Sequence, residues 1–440
     1  MWVNPIELIE HQRKPVPQAW WEQFAGLSQY LDEVWQTRTI FSDDDPEEAG
    51  STRQRFLDFG LDQGHPTMQA NQYVGFIQYH GLTLQILPKL FGTGQADAAF
   101  RHLLWWLHYS RRIRFPFADL LTGSETVADF PEALIRYFAR ITHNLVSTQP
   151  YHQYEEITET MPYLRGRLNT PAYTQRSLST GHWHQLVCDH EPFLFNNRLN
   201  QIIKYVCRRL SHLCRPDTRR DLERVIFVLD EVDDIPCAAQ DCDSIRLNRF
   251  FQEYAHCLDM CRFFLANSYL NRQDAHQRHF CFLVPMDVVY EDFITEVTRL
   301  HFGKPYRVQP QASDWLTDQR VFQIRNDLLL TNRTTGKQLI VDTKYKRRDL
   351  QPADAKQGIS QTDLYQMVSY ALRRATDQVL LLYPCAYGNA PAAPVQFTVT
   401  SGLLNTTSLH LRAADIAITG PSREQMVQQV IQQLSHVFNL

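Results

Sequence analysis

The sequence predicts an α+β protein of several domains, and three observations support this. The 440 residues exceed what one hydrophobic core usually organises. Strand-like alternation fills residues 71–90, whereas helical periodicity dominates the residues that follow. From about residue 279, strand and helix patterns alternate. We therefore predict a β-rich and helical N-terminal region (1–150), a mainly helical middle region (151–278) and a C-terminal α/β domain (279–440).

The composition excludes some functional classes. Hydrophobic residues make up 44% of the chain, charged residues 21%, and the formal net charge is −4. This is not a generally basic chain, so any contact with nucleic acid must be local. No apolar run reaches the roughly 18 residues that span a bilayer, and the N-terminus does not resemble a signal peptide. We expect a cytoplasmic protein without a membrane segment.

The nine cysteines favour reduced thiols, because an odd number in a long chain argues against a disulfide framework. Cys237 with Cys242, and Cys257 with Cys261, could be zinc pairs. Neither pair has the two-residue spacing that is typical of zinc sites. We expect these cysteines to be buried as small apolar residues.

The N-terminal region begins with an amphipathic helix over residues 17–35. Strands over residues 73–79 and 82–87 flank a His80-Gly81 turn and predict a hairpin, which Pro88 ends. Helical periodicity then returns in residues 96–110 and 131–146.

The middle region is predicted to contain three helices, over residues 196–213, 218–228 and 243–264. Asn200, Lys204 and Arg208 share one face of the first of these helices. That face is either solvated or contacts the DNA backbone.

Two predicted strands of the C-terminal domain carry acidic side chains. Residues 321–330 contain Asp327, and residues 340–346 place Asp342 and Lys344 two positions apart, on one side of a strand. The polar residues 331–336 predict a hairpin turn, which would bring the two acids to neighbouring strands.

Two carboxylates beside a lysine suit the hydrolysis of a phosphodiester with a hard divalent cation. Mg²⁺ prefers oxygen ligands and commonly takes one or two protein carboxylates. Such a cation lowers the pKa of bound water, and a nearby ammonium can stabilise added negative charge. Repulsion between neighbouring carboxylates also favours a bound cation. We predict Mg²⁺ or Mn²⁺ at Asp327 and Asp342, with Lys344 as a third catalytic residue.

A second Asp-x-Lys motif occurs at Asp354 and Lys356. No apolar strand surrounds it, so we interpret it as a loop and not as part of the site. A basic run, Lys346, Arg347 and Arg348, follows the acid-x-lysine strand. It could be a solvated surface, but its position favours contact with DNA phosphates.

The remaining C-terminal elements surround these strands. Helices are predicted at residues 288–294, at 362–372 and from Ser422, which is a candidate helix cap. Strands are predicted at residues 378–383, 394–400 and 408–412.

This order of helix, acid-bearing strands, helix and strand resembles the core of the PD-(D/E)XK (restriction-endonuclease-like) nucleases, and Gln366 and Tyr370 match the Q-x-x-x-Y element of one branch. Residues 282–293, 341–346 and 363–370 resemble the McrC family, the nuclease subunit of McrBC-type modification-dependent restriction systems. Segments 74–77 and 84–89 match that family's other signature, and 165–168 and 196–204 are also similar. One departure is Asn326, which stands where proline usually precedes the first acid.

The resemblance implies an endonuclease subunit of an anti-phage restriction system, cleaving modified double-stranded DNA in a hetero-oligomer with a McrB-like AAA+ GTPase. It implies that the N-terminal region engages and stimulates this motor, with Leu87, Pro88 and Lys89 as contacts. Within the site, Glu291 could hold a metal-bound water and Gln366 could orient the substrate or the lysine. Simple helix-surface polarity is the alternative for both residues.

Two other functions stay open at this point. The chain could be a non-catalytic adaptor that binds DNA and activates the motor, which Asn326 and the net negative charge allow. It could also be a self-sufficient nuclease or an RNA-directed enzyme of the same superfamily, although the large N-terminal portion disfavours this. If the motor contact is N-terminal, removal of the residues before about Pro150 would leave a folded C-terminal piece.

Overall fold

The computed structural model describes residues 5–37, 53–113, 116, 130–267, 279–348, 350–351, 354–399 and 408–438. Its strands, in chain order, are β1 (Ile6–Ile9), β2 (Arg13–Pro15), β3 (Leu57–Asp62), β4 (His65–Ala70), β5 (Tyr73–Tyr79), β6 (Leu82–Leu87), β7 (Gln153–Tyr154), β8 (Ile157–Met161), β9 (Arg167–Leu168), β10 (Leu186–His190), β11 (Phe193–Leu194), β12 (Phe280–Pro285), β13 (Tyr306–Trp315), β14 (Gln323–Asn332), β15 (Gln338–Thr343), β16 (Gln378–Pro384), β17 (Val395–Val399) and β18 (Leu409–Ile416).

The longer helices are α1 (Phe24–Thr37), α2 (Ala96–Leu107), α3 (Phe130–Thr148), α4 (Arg198–Ser211), α5 (Pro216–Val228), α6 (Tyr254–Asn267), α7 (Met286–Phe302), α8 (Gln361–Arg374) and α9 (Arg423–Phe438). The Ser422 hydroxyl accepts a hydrogen bond from the backbone N–H of Gln425, which confirms the predicted cap of the last helix.

The chain forms two compact units rather than three consecutive ones. One unit combines residues 1–128 with 279–440, and the other consists of residues 129–278. The predicted N-terminal and C-terminal regions therefore share one unit, into whose sequence the second unit is inserted.

A four-stranded sheet in the first unit joins residues that are far apart in sequence. Its strand order is β1-β6-β5-β12. The predicted hairpin is confirmed, since β5 and β6 pair antiparallel from Gly75↔Ile86 to Tyr79↔Leu82. On its other side β5 pairs with β12, with Gly75 opposite Leu283. The expectation that a C-terminal piece folds without the N-terminal residues does not fit this pairing, because the truncation would strip β12 of its neighbour.

Gly75 is required where these two strands meet. Its φ of 145° lies in a region that other residues rarely adopt, and a Cβ at this position would overlap the carbonyl oxygen of Phe282. The glycine of the second family signature therefore has a packing role.

The six-stranded sheet of the same unit carries the predicted acids. Its order is β13-β14-β15-β16-β18-β17. β14 and β15 pair antiparallel, as predicted, whereas β15, β16 and β18 run parallel to each other. Helix α8 covers one face, where Met367 packs with Ile340 and Leu381 in one buried cluster. Helix α7 starts directly after β12 and packs against β13, β14 and β15.

The second unit contains helices α3 to α6 and two small sheets, β8-β10-β9 and β11-β7. The prediction of one helix over residues 243–264 is wrong, because α6 begins only at Tyr254. A reason lies at Asn248, whose side chain accepts a hydrogen bond from the backbone N–H of Phe250 and so competes with helical bonding.

Two of the three residues of the polar face predicted on α4 are neither solvated nor placed for DNA contact. Asn200 and Lys204 are buried. The Lys204 ammonium donates to the backbone carbonyls of Asp230 and Val232, at 3.1 and 2.6 Å. For these two residues both alternatives are wrong, because their side chains donate to backbone carbonyls within the unit. Arg208 is exposed and forms an ion pair with Asp234 at 2.8 Å.

All nine cysteines are buried, as expected for small apolar residues. In the part of the chain that the structure describes, no helix is long and apolar enough to cross a membrane.

Candidate active site

The two acids lie where the β14–β15 ladder ends. Leu328 pairs with Val341 in the last hydrogen-bonded position on this side, and Asp327 and Asp342 are the next residues on each strand. Asp342 follows Ile340 by two positions and so lies on the sheet face that α8 covers. It is only 2% exposed. The two carboxylates therefore project from neighbouring strands at one sheet edge, as the sequence predicts.

Asp327 is held by the residue between the other two candidates. Both the backbone N–H and the hydroxyl of Thr343 donate to Asp327 Oδ2, each at 2.7 Å. These two bonds fix the carboxylate against β15 and leave Oδ1 for another partner. Thr343 could not be predicted from the sequence, because in a strand its side chain is expected on the opposite face from those of Asp342 and Lys344.

Lys344 lies beside Asp342, as the two-residue spacing predicts. Its ammonium nitrogen is 2.7 Å from Asp342 Oδ2. It also donates to Gln366 Oε1 at 2.9 Å, and Gln366 in turn donates to the Tyr370 hydroxyl at 2.8 Å. The two residues of the Q-x-x-x-Y pattern thus orient the lysine from α8.

The charges in this cluster perturb one another. Burial, with the neighbouring charge of Asp327, raises the pKa of Asp342 to about 7. Burial alone would lower the pKa of Lys344, but the adjacent Asp342 carboxylate outweighs it, and the pKa of the lysine lies above its usual value. Lys344 therefore stays protonated at neutral pH.

Glu291 approaches the same place from α7. Its carboxylate forms an ion pair with Arg112 at 2.9 Å and accepts a hydrogen bond from Gln311. Burial, followed by repulsion from Asp327, raises the pKa of Glu291 to about 8. It is therefore a third acid next to the pair. Arg112 and Gln311 were missed, since no sequence pattern links either residue to this helix.

The basic run divides into three different environments. Lys346 forms an ion pair with Asp363 and stays partly exposed, and Arg347 is exposed. Arg348 is different, because its side chain is 0% exposed and pairs with Asp415 at 2.6 Å. Its guanidinium does not reach the surface in this structure, so the prediction that it contacts DNA is not supported by its position.

The three residues predicted to contact the motor lie largely inside the first unit. Leu87 is fully buried at the end of β6, and Pro88 is also buried. The Lys89 ammonium lies 4.2 Å from the ring centroid of Tyr345. A partner surface would have to be formed by other residues, because Leu87 and Pro88 are covered by their own unit.

The second Asp-x-Lys forms a turn, as predicted. Asp354 Oδ1 accepts from the backbone N–H of Lys356 at 2.9 Å, and Oδ2 accepts from that of Gly358 at 2.7 Å. Both oxygens are used locally, so this aspartate is not paired with its lysine.

The donor set fits a hard divalent cation. Among the described ranges, no group of three or more His, Cys, Asp or Glu side chains lies close enough to hold a metal ion. Two carboxylates suffice for Mg²⁺, whose other positions are taken by water and phosphate. Asp342 Oδ2 is buried and, although 2.7 Å from the lysine nitrogen, receives no well-directed hydrogen bond from the described residues. That acceptor remains available to a cation.

Comparisons with known proteins agree with this architecture. The family described as McrBC 5-methylcytosine restriction system component matches residues 68–384. No curated protein matches the chain in sequence. Among solved structures, the chain is similar to one in a refined half-complex from a tetradecameric assembly of Thermococcus gammatolerans McrB AAA+ hexamers with bound McrC. The two chains are 17% identical and superpose with a TM-score of 0.70. The match covers 98% of this chain and 100% of that one. A chain of the Thermococcus gammatolerans McrBC complex is similar at TM-score 0.50 and 18% identity, covering 68% and 88%.

Proposed function

Because this chain belongs to the family of McrBC 5-methylcytosine restriction system components, we propose that it is the metal-dependent DNA endonuclease subunit of such a complex. The observation that carries the proposal is the pairing of Lys344 with Asp342 at 2.7 Å, beside Asp327 on the neighbouring strand. The fold of residues 279–440 is then that of a PD-(D/E)XK nuclease, with its site at the end of the β14–β15 ladder.

Each residue has a role that follows from its surroundings. Asp327 and Asp342 would hold Mg²⁺ or Mn²⁺, which when bound activates water and offsets phosphate charge. Lys344 is protonated at neutral pH, so it stabilises negative charge on the phosphate rather than accepting a proton. Gln366 fixes the ammonium group through its amide oxygen. Lys346 and Arg347 remain the candidates for contact with the DNA backbone.

The partner that we propose is inferred from the solved structures to which this chain is similar. In Thermococcus gammatolerans, McrC is bound to McrB AAA+ hexamers. This chain is accordingly proposed to form a cytoplasmic hetero-oligomer with a McrB-like AAA+ GTPase and to cleave modified double-stranded DNA. The motor would bring DNA to the site, and this chain would stimulate nucleotide hydrolysis.

The decisive experiment combines two readouts. Cleavage of modified and unmodified DNA is measured with this chain alone and with the neighbouring AAA+ protein, in the presence of GTP or ATP and Mg²⁺. The nucleotide hydrolysis rate of the motor is measured in parallel, with the wild-type chain and with Asp342→Ala. We expect both chains to stimulate hydrolysis and only the wild type to support cleavage. Stimulation without cleavage by the wild type, under all conditions, would instead favour the non-catalytic adaptor.

Cation binding is expected to strengthen as the pH rises from 6 to 8. The pKa of Asp342, about 7, lies above the ordinary value of 3.8 for an aspartate, so the folded chain without a cation loses stability as the pH rises from 3.8 to 7. A bound cation removes this cost by competing with the proton. The rise in melting temperature caused by Mg²⁺ or Mn²⁺ should therefore be larger at pH 8 than at pH 6. In Asp342→Asn the cation-induced rise should be small at both pH values; an equal rise in both proteins would contradict the site.

Glu291→Gln is expected to raise the Mg²⁺ concentration for half-maximal cleavage by about tenfold, because residues next to metal ligands typically tune affinity by such factors. The substitution removes an ionisable carboxyl group beside Asp327 but keeps an acceptor for Arg112 and Gln311. Glu424→Gln, at an exposed position on α9, is the matched control. An unchanged Mg²⁺ dependence would leave Glu291 with a structural role only.

A further inference from the structure

The catalytic lysine lies just beyond the end of a strand. β15 ends at Thr343, and beyond it the Lys344 N–H donates to the Leu382 carbonyl at 2.9 Å. The lysine side chains at positions 344 and 346 are themselves long and flexible. Asp342 and Gln366 hold the Lys344 ammonium, and the backbone position of both lysines also depends on what holds the residue between them, Tyr345.

Tyr345 is held by residues from the beginning of the chain. Its hydroxyl donates to Glu10 Oε2 at 2.9 Å, across 335 positions of sequence. The backbone N–H of Lys89 donates to the same oxygen, also at 2.9 Å. One carboxylate oxygen thus joins the end of the β5–β6 hairpin to the strand end that carries the catalytic lysine.

Lys89 contacts the same tyrosine a second time. Its ammonium lies 4.2 Å from the ring centroid, a distance that suits a cation–π interaction. The ring of Tyr290, near the start of α7, is tilted against the ring of Tyr345, and the two ring centroids are 5.9 Å apart. The tyrosine is buried and therefore has little freedom to move.

The burial of the Glu10 carboxylate is unfavourable for the stability of the fold. Glu10 is 3% exposed, and its Oε1 has no hydrogen-bond partner among the residues that the structure describes. Burying a carboxylate with one unsatisfied oxygen is unfavourable, and well-packed apolar side chains in such places are often more stabilising. Burial accordingly raises the pKa of Glu10 to about 7. A polar cluster that costs stability but fixes one geometry is typical of a functional site.

We propose that Glu10 and Lys89 are positioning residues of the active site, which act through Tyr345 to fix the backbone that carries Lys344 and Lys346. The inference rests on the proposed nuclease function. It gives Lys89 a role in placing the lysine that contacts phosphate, in place of the predicted contact with the motor. Displacement of a catalytic group by about 1 Å can cost about a hundredfold in rate, which sets the scale of the effect.

The test uses the full chain with its AAA+ partner and measures steady-state cleavage rates against DNA concentration, which give kcat and KM. Tyr345→Phe removes only the hydroxyl, and Lys89→Met removes the cation while keeping the length of the side chain. We expect kcat to fall about tenfold in the first and between about tenfold and a hundredfold in the second, with KM and the motor's nucleotide hydrolysis unchanged. Lys89→Arg, which keeps a cation over the ring, should restore most of the rate.

Matched controls keep the test specific. The Tyr387 hydroxyl has no hydrogen bond to a described residue, so Tyr387→Phe should cleave like the wild type. Lys337→Met, in the exposed turn between β14 and β15, should do the same. Melting temperatures of all variants show whether any loss of cleavage is a loss of folding.

The outcomes separate this inference from the nuclease proposal. If Asp342→Ala cleaves DNA, the proposed function itself fails. If Asp342→Ala is inactive while Tyr345→Phe and Lys89→Met keep the wild-type kcat, only the positioning role is overturned. If Lys89→Met instead loses stimulation of the motor, the positioning role is also overturned and the original motor contact is restored.

Discussion

Asp342→Ala and Lys344→Ala are each expected to reduce DNA cleavage by about a hundredfold to a thousandfold, because removal of one electrostatic stabiliser of a transition state commonly costs that much in rate. The two groups lie 2.7 Å apart, so either substitution leaves the other without its neighbour. Asp327→Ala should behave similarly, since it removes the second carboxylate. Single-turnover cleavage of DNA, with the AAA+ partner and Mg²⁺ present, measures the loss.

The control comes from the second Asp-x-Lys of the same chain. Lys356→Ala removes an exposed lysine from the turn that Asp354 organises and should leave cleavage unchanged. Asp354→Ala removes hydrogen bonds of that turn only, so it should also be nearly silent. Cleavage that survives alanine at Asp327, Asp342 and Lys344, each taken singly, would refute the active-site assignment.

Gly75→Ala is expected to destabilise the first unit by about 3 kcal/mol or more, since overpacking and an unfavourable φ add to each other. The new methyl group would overlap the Phe282 carbonyl oxygen, which belongs to the backbone of β12 and cannot turn away as a side chain would. The strands would have to separate a few residues before β12 leads into α7, the helix that carries Glu291. Chemical denaturation followed by circular dichroism measures the change in the free energy of unfolding.

Gly81→Ala separates the two causes. Gly81 also has a positive φ, of 80°, but a Cβ there would meet nothing within 4 Å. This variant should lose only about 1 kcal/mol, the cost of a left-handed conformation for a residue with a side chain. Equal losses in the two variants would mean that the close approach of β5 and β12 contributes nothing.

Patterns in short stretches of the sequence were sufficient to predict much of the candidate site. The membership in the McrC family suggested by the motifs is confirmed, as are the β5–β6 hairpin and the antiparallel pairing of the acid-bearing strands. Period-two spacing predicted that Lys344 would face Asp342, because that relation depends only on neighbouring residues. The roles of these residues in cleavage remain predictions.

Contacts between residues that are far apart in the chain could not be predicted from the sequence. Arg348 belongs to a basic run, and no pattern indicates that Asp415 would draw its guanidinium into the interior. Similarly, the Leu87-Pro88-Lys89 motif indicated a contact with the partner at the surface. In the structure β1 pairs with β6 as far as Leu87, and Tyr345 contacts the Lys89 ammonium. In both cases the partner is supplied by a segment that is remote in sequence, so a one-dimensional pattern could not identify it.

The pairing of β5 with β12 has a consequence for synthesis on the ribosome. Gly75 and its partner Leu283 are separated by roughly 200 residues, which a ribosome adding about 5–20 residues per second needs about 10 to 40 seconds to supply. During that interval β5, all of whose residues are buried in the finished protein, has an open edge that can pair with other chains. The insertion of a separate unit between the two strands thus makes the nascent chain vulnerable to aggregation until β12 has emerged.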